Sequence, residues 1–281
     1  MIMTKIKPLY ILFGLVGLSF LLLYYPVFFK LIQDWENDAD YSHGYFIPFI
    51  AGYMVWVLKD ELQRIEWTPN NWGLLLIFLG LAQLIVAWVG SEYFLQGTSM
   101  ILVLLGIVLF MLGTQAAKKL LLPIAYLIFM IPLPAILWNQ AAFPLALFAS
   151  KVSSNLIQGI GISVLREGNI LTLPNITLQV AEACSGLRSL VTLLALSAVL
   201  AFMSQHDRGK KWILFLSAVP VALACNIFRL TGTAVLARYF GAPVAHGFIH
   251  EFSGWVVFVL GLLLLLGVHF LLGIKARRLG G

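Results

Sequence analysis

The amino-acid sequence predicts an all-α polytopic membrane protein with about eight transmembrane helices. Of its 281 residues, 61% are hydrophobic and only 11% are charged, whereas soluble domains carry roughly 25% charged residues. Apolar runs long enough to cross the roughly 30 Å core of a bilayer recur along the whole chain. The composition also excludes intrinsic disorder, because disordered chains contain few aromatic and branched apolar residues.

Eight apolar runs define the predicted spans. They cover residues 8–29, 44–58, 73–90, 97–114, 119–134, 186–204, 211–237 and 254–274. The first run is longer than the apolar core of a cleaved signal peptide, so we expect it to be retained as a helix. Residues 135–150 are also apolar, but Pro134, Asn139 and Pro144 interrupt them. We expect an interfacial or re-entrant segment there.

A small extended or hairpin element is predicted in the outer loop at residues 161–182. Gly161, Gly168 and Pro174 punctuate this stretch, and residues 170–173 alternate in polarity. Neither an internal repeat nor a separate soluble domain is evident, so residues 1–281 are interpreted as one membrane domain. Any chemistry must then use the membrane helices and their outer loops.

The distribution of charge orients the helices. With a cytoplasmic N-terminus, each inner segment carries at least two basic residues, and both termini are expected in the cytoplasm. The inner basic residues are Lys5, Lys7, Lys59, Arg64, Lys118, Lys119, Arg208, Lys210, Lys211, Lys275, Arg277 and Arg278. The outer segments carry the acidic residues Asp34, Glu36, Asp38, Asp40, Glu92, Glu167, Glu182 and Glu251. The net charge of +6 is therefore an orientation signal, and no extended basic face indicates nucleic acid binding.

Cys184 is a candidate nucleophile. It lies in the stretch 181–186, at the expected outer start of the sixth helix, where backbone N–H groups favour a thiolate or an oxyanion. Arg188 adds positive charge one turn later. The alternative is a small buried hydrophobe, as many lone cysteines are. The second cysteine, Cys225, lies well within an apolar span and is expected to be a core residue, although a redox pairing with Cys184 remains an alternative.

Arg229 lies within the otherwise apolar seventh span, where a charge is costly and needs an anion, backbone carbonyls or water beside it. Its alternative is a structural arginine that snorkels to the outer interface. His250 precedes the eighth span and is suited to move protons near neutral pH. Its alternative is an interfacial histidine bonded to backbone. His246 and His250 would bind a metal only if their stretch were helical, and no metal or cofactor is expected.

The predicted topology brings Cys184, Arg229 and His250 to the outer boundary from three separate segments. A thiol, a base and a fixed cation at one level are the groups that cysteine acyl transfer requires. The polar stretch 38–44, which contains His43, is also placed outside. It either shapes the entrance of the site or caps the second helix.

These residues also carry a resemblance to the exosortase family, bacterial relatives of the archaeosortases. Five pieces match in order over about residues 30–265. They are 40–44 (DYSHG), 123–134 (PIAYLIFMIPLP), 182–189 (EACSGLRS), 226–229 (NIFR) and 250–254 (HEFSG). The resemblance implies catalytic roles for Cys184, Arg229 and His250. Substrate-binding or supporting roles are expected for Glu182, Ser185, Gly186, Arg188, Asn226, His43, His246, Ser253 and Gly254.

The resemblance implies a cysteine transpeptidase or protease of the bacterial inner membrane, with its active site facing the periplasm. Its substrates would be exported proteins with a C-terminal sorting tail (PEP-CTERM): a Pro-Glu-Pro motif, one membrane helix and a basic cluster. Such proteins are associated with exopolysaccharide, and the acceptor of the acyl group stays open. Three alternatives come from the residues: a transporter or flippase that binds an anion at Arg229, a thiol-redox protein, and a serine-based protease using Ser253.

Overall fold

A computed structural model describes the chain except residues 1–2, 175, 180–184, 242–247 and 279–281. Side chains are additionally left undescribed at residues 3–10, 39–40, 179, 185–189, 248–253 and 274–278. The protein is about 82% helical, and it divides into two compact units, Met1–Leu133 and Pro134–Gly281. We refer to them as unit 1 and unit 2.

Unit 1 consists of six α-helices and two short 3-10 segments. The helices are α1 (Met3–Leu23), α2 (Tyr25–Asn37), α3 (Phe46–Val57), α4 (Lys59–Gln63), α5 (Trp72–Val89) and α6 (Tyr93–Tyr126). The 3-10 segments are Ala39–Tyr45 and Leu127–Met130. The predicted first span is broken, because α1 and α2 meet at an angle of 58°. Pro26 lies in the first turn of α2, where its missing N–H costs no hydrogen bond.

The pair α5 and α6 forms the densest packing in unit 1. A side chain at Gly73 would overlap the backbone of Phe110, and one at Gly106 would approach Ile77. Such small residues let membrane helices pack backbone to backbone. Helix α6 is interrupted at Gly113, whose φ of 86° suits only glycine. This break coincides with the predicted end of the fourth span at residue 114.

Unit 2 contains the remaining five helices and a small sheet. The helices are α7 (Ala135–Gly159), α8 (Ser185–Met203), α9 (Arg208–Leu216), α10 (Ala218–Phe240) and α11 (Phe248–Arg278). Three antiparallel strands, β1 (Leu165–Glu167), β2 (Ile170–Leu173) and β3 (Ile176–Gln179), form a sheet in the order β1-β2-β3. The extended or hairpin element predicted at residues 161–182 is thus confirmed. Helix α7 continues through Pro144, and the interfacial or re-entrant character expected of residues 135–150 stays a prediction.

Four described helices are long and apolar enough to cross a membrane, or up to six if two bent helix pairs each count as one span. Two of the predicted spans fall short of this test. Helix α3 has only 12 residues, about 18 Å at 1.5 Å per residue, and the described apolar part of α8 is also short (Leu190–Met203). The protein is therefore a multi-pass α-helical membrane protein, while the figure of eight spans stays a prediction.

Candidate functional site

Arg229 lies on α10 and is only 5% exposed. Among the residues whose burial is described, it is the only charged side chain that is buried. A snorkelling arginine keeps its guanidinium at the water interface, so this burial argues against the snorkelling interpretation. A buried guanidinium stays charged and attracts an anionic or strongly polarised group.

Asn226 precedes Arg229 by three positions on the same helix, and it is fully buried. Neither Nδ2 nor Oδ1 of this side chain has a hydrogen-bond partner. Residues three apart on an α-helix lie on the same face. The buried face of α10 therefore carries a carboxamide and a guanidinium next to each other.

Cys225, the second cysteine, is a free thiol with no exposed surface. It packs in an apolar cluster with Leu193 of α8 and with Val257 and Leu265 of α11. This placement confirms the prediction of a core cysteine. Its predicted alternative, a pairing with Cys184, involves a residue outside the described part of the chain.

The helices that carry the three predicted catalytic motifs pack against one another. Helix α10 contacts both α8 and α11, and α8 contacts α11. At one level of this α8–α10–α11 group, a Cβ on Gly261 would lie 3.1 Å from Leu193 and 3.6 Å from the Sγ of Cys225. Leu193, Cys225 and Gly261 therefore lie at the same height along the three helices, and we measure the positions of the motifs from this reference level.

Two hydrogen bonds fix the directions of these helices. The hydroxyl of Ser197 donates to the carbonyl of Phe215, at the end of α9 and just before α10, at 3.3 Å. Ser197 follows Leu193 along α8, whereas Phe215 precedes Cys225 along the chain. Since Leu193 and Cys225 lie at the reference level, α8 and α10 are antiparallel. Nε2 of His206, just beyond α8, bonds the carbonyl of His269 at 3.3 Å. Helices α8 and α11 are therefore parallel, and their first turns lie at the end towards which α10 runs.

The three motifs thus occupy the same end of the α8–α10–α11 group. From the reference level, Arg229 is four residues further along α10, about 6 Å at 1.5 Å per residue. Ser185 is eight residues back along α8, about 12 Å, and His250 is eleven residues back along α11, about 16 Å.

The predicted nucleophile and base are only partly covered by the structure. The described part of α8 begins at Ser185 and includes the backbone of Gly186 and Arg188, so a helix start at Cys184 stays a prediction. Cys184 and Glu182 lie outside the described residues, as does His246. Helix α11 begins at Phe248, earlier than predicted, so the backbones of His250, Ser253 and Gly254 are helical.

No group of three or more histidine, cysteine, aspartate or glutamate side chains that could hold a metal ion occurs among the described residues. The metal alternative at His246 and His250 involves residues beyond that search, and it stays a prediction.

His43 belongs to a second polar site, within unit 1. Its Nε2 bonds the carbonyl of Phe129 at 3.2 Å, and Nε1 of Trp35 donates to the carbonyl of Met130 at 2.9 Å. A side chain at Gly44 would overlap the Trp35 indole. The pieces 40–44 and 123–134, which carry part of the resemblance, are therefore in contact. The two alternative roles of residues 38–44, shaping the entrance of the site or capping the following helix, stay predictions.

Sequence reasoning missed Trp35. The only sequence signal was a tryptophan within the acidic outer stretch, and its partner carbonyl lies 95 residues away. A bond of that separation depends on tertiary packing and leaves no periodic pattern.

The apolar helices are those of a multi-pass membrane protein. Within unit 2, its helix α10 carries two buried polar side chains, Asn226 and Arg229, where α10 packs against α8 and α11. The family model described as transmembrane exosortase matches residues 35–267. The chain belongs to the transmembrane exosortase family, which implies a membrane protease or transpeptidase that acts on sorting signals. Searches of curated proteins and of solved structures gave no match to the chain.

Proposed function

We propose that this protein is a cysteine transpeptidase or protease that cleaves the C-terminal sorting tail of exported proteins. The observation that carries the proposal is the α8–α10–α11 group, in which a buried arginine and the first turns of two motif-bearing helices lie towards the same end. Family membership supplies the reaction class. Cys184, Arg229 and His250 are the proposed catalytic residues.

The proposed reaction is acyl transfer through a thioester. His250 accepts the proton of the Cys184 thiol, and the sulfur attacks the scissile carbonyl. Arg229 and the N–H groups at the start of α8 stabilise the tetrahedral oxyanion. The C–N bond then breaks, and protonated His250 donates its proton to the leaving amine. An incoming amine completes transpeptidation, whereas water completes proteolysis.

Supporting roles are proposed for further residues of the matching motifs. Ser185, Gly186 and Arg188 belong to the first turn of α8, and Arg188 is a candidate partner for a substrate glutamate. Ser253 and Gly254 follow His250 on α11. Glu182, His246 and His43 complete the supporting set, with His43 acting through the backbone of residue 129 in unit 1.

The proposed topology has eight spans, cytoplasmic termini and a periplasmic active site in the bacterial inner membrane. Within unit 1, Lys119 pairs with Glu61, which joins two segments assigned to the inner side. Within unit 2, His206, just after the sixth span, contacts His269, near the inner end of the eighth span. Each contact supports a common level of the inner ends within its own unit, as the distribution of basic residues requires.

The proposed substrates are exported proteins of the PEP-CTERM type, associated with exopolysaccharide. In such a tail the membrane helix lies against the enzyme in the bilayer, and the Pro-Glu-Pro segment reaches the outer surface. The acceptor of the acyl group is an amine or water.

The test is to trap the acyl-enzyme in membranes. A tail-bearing partner is co-expressed with a His250→Ala variant, which slows turnover, and mass spectrometry looks for a partner fragment attached to Cys184. An adduct identifies both the nucleophile and the cleaved bond. Continued processing by Cys184→Ala would contradict the proposal.

Two further variants separate the alternatives. A cysteine nucleophile predicts loss of processing with Cys184→Ser and normal processing with Cys225→Ala. A transporter that binds an anion at Arg229 tolerates both changes. A thiol-redox protein depends on both cysteines, and a serine protease depends on Ser253 and tolerates the change at Cys184.

A further inference from the structure

The carboxamide of Asn226 is a buried polar group that the protein itself leaves unpaired. The side chain has no exposed surface, and neither its donor nor its acceptor has a partner. A primary amide offers two N–H donors and one acceptor oxygen. Burying such a group without partners is costly, so native proteins rarely retain one without a reason.

A buried amide in unit 1 shows the usual outcome. Gln96 is 6% exposed, and its Nε2 donates to the carbonyl of Ala87 at 3.4 Å. Asn226 is therefore unlike Gln96, although both side chains carry the same group. No described residue supplies a partner for Asn226, and the difference favours a bound molecule as that partner.

The surroundings of Asn226 favour a site over a packing defect. Before it on α10, Cys225 belongs to the apolar cluster with α8 and α11. After it, Leu230 belongs to a second apolar cluster formed with α7 and the β-sheet. Asn226 and Arg229 thus interrupt the apolar packing of α10 at the junction of the two clusters. Arg229 supplies a cation, and the carboxamide of Asn226 supplies both hydrogen-bond donors and an acceptor.

The chemistry of the carboxamide limits the classes of ligand that would use all of its hydrogen-bonding groups. An anion would use only its N–H groups, and a metal ion would use only its oxygen. In an extended peptide, the N–H and C=O of one residue point to the same side, as in residues that exchange both bonds across an antiparallel ladder. A single carboxamide satisfies both.

We propose that Asn226 binds the backbone of an extended segment of the substrate, next to Arg229. Nδ2 donates to the carbonyl of one substrate residue, and Oδ1 accepts from the N–H of the same residue. This contact rests on the proposed function and deepens it. It recognises the extended shape of the tail independently of its side chains, whereas the arginines recognise charge.

The experiment measures peptide binding without turnover. Purified Cys184→Ala protein in detergent is titrated with synthetic sorting-tail peptides in which one peptide bond at a time is replaced by an ester. An ester lacks the N–H and is a weaker acceptor. One ester position is expected to weaken binding about tenfold, the usual effect of losing about 1.4 kcal/mol of hydrogen bonding. In the Cys184→Ala/Asn226→Leu protein, the same ester should have no additional effect.

A second measurement distinguishes a ligand-binding amide from a structural one. Asn226→Leu removes an unpaired buried amide and keeps a similar volume, so the ligand-free melting temperature should be unchanged or higher. Thr231→Val is the matched control. Oγ1 of Thr231 is also buried and unpartnered, but the residue lies about 140° around α10 from Asn226. Thr231→Val should change the melting temperature as Asn226→Leu does, but it should bind the unmodified peptide with normal affinity.

The outcomes are separable. The proposed contact is overturned if each ester peptide binds the Cys184→Ala and Cys184→Ala/Asn226→Leu proteins with the same loss of affinity. It is also overturned if no peptide binds, or if the added Asn226→Leu change leaves the affinity for the unmodified peptide unchanged. A fall of several degrees in the melting temperature of Asn226→Leu would likewise overturn it. If the ester effect depends on Asn226 but Cys184 carries no adduct during turnover, the backbone contact stands and the cysteine mechanism fails.

Discussion

The two units of this protein treat buried polar groups differently. In unit 1, Tyr24 pairs with Ser99, Gln96 bonds the carbonyl of Ala87, and Trp35 bonds that of Met130. In unit 2, Asn226 and Thr231 keep buried atoms without partners. Within the described residues, all the unpaired buried side-chain atoms lie in unit 2. Paired groups rigidify a fold, whereas each unpaired buried group costs stability.

This contrast predicts that substitutions in unit 1 chiefly lower stability, and that substitutions on the buried face of α10 chiefly lower activity. The predictions below test it, beginning with the largest expected effect.

Arg229→Met should lower the rate of tail processing by about 100- to 1000-fold, the usual cost of removing an oxyanion-stabilising donor. Arg229→Lys should recover little of this loss, because an ammonium lacks the planar fork of the guanidinium. The rate is measured on a tail-bearing partner in membranes. Arg238→Met, at an exposed arginine of the same helix, is the control and should process normally. Equal rates for Arg229→Met and wild type would remove Arg229 from the chemistry.

Gly113→Ala should destabilise unit 1 by about 3 kcal/mol. The residue has a φ of 86°, and a Cβ there would overlap the carbonyl oxygen of Thr68, so backbone strain adds to steric overlap. Unfolding by denaturing detergent measures the change. Gly52→Ala is the control, because nothing lies within 4 Å of its Cβ position, and it should be neutral or slightly stabilising. Similar losses for the two variants would contradict the explanation.

Trp35→Phe should cost about 1 kcal/mol of unfolding free energy, because it removes the hydrogen bond to the Met130 carbonyl. Activity per folded molecule should change little if unit 1 acts as a framework. Trp88→Phe, at an exposed tryptophan of α5, is the control for the loss of ring size. A large fall in activity with normal stability would assign Trp35 to the site and weaken the contrast between the units.

Tyr24→Phe should have the smallest effect, about 0.5 kcal/mol. The Ser99 hydroxyl that loses Tyr24 still donates to the carbonyl of Gln96 at 2.6 Å, so no buried group is left wholly unpaired. Tyr53→Phe, at an exposed tyrosine, is the comparison. A loss several times larger would show that the Tyr24–Ser99 pair belongs to a more extensive network.

The parts of the fold that sequence reasoning predicted are those governed by local pattern. The apolar run at 73–90 became α5, the glycines and alternation at 161–182 became the sheet, and the depth of Cys225 in its span became a core position. Pro26 marks the start of α2 within the predicted first span. The apolar run continues on both sides of this proline, so hydropathy alone predicts one unbroken helix there. Helix α7 shows the converse, since the helix continues through Pro144.

The candidate site was predictable in its members and less so in its arrangement. A charge in an apolar run identifies Arg229 from sequence alone, since its cost is local. The parallel and antiparallel directions of α8, α10 and α11 depend on bonds such as Ser197 to Phe215. The unpaired state of Asn226 is a property of the whole packing around it, and no local pattern encodes it.

The burial of Cys225 has a practical consequence for chemical labelling. The chain contains two cysteines, and the thiol of Cys225 is sealed within the α8–α10–α11 group. A polar maleimide applied to intact cells therefore reports on Cys184 without any need for a cysteine-free background. If a tail-bearing peptide blocks labelling applied from outside the cell, the experiment reports both the side of the membrane on which Cys184 lies and the occupancy of the proposed site, in the wild-type protein.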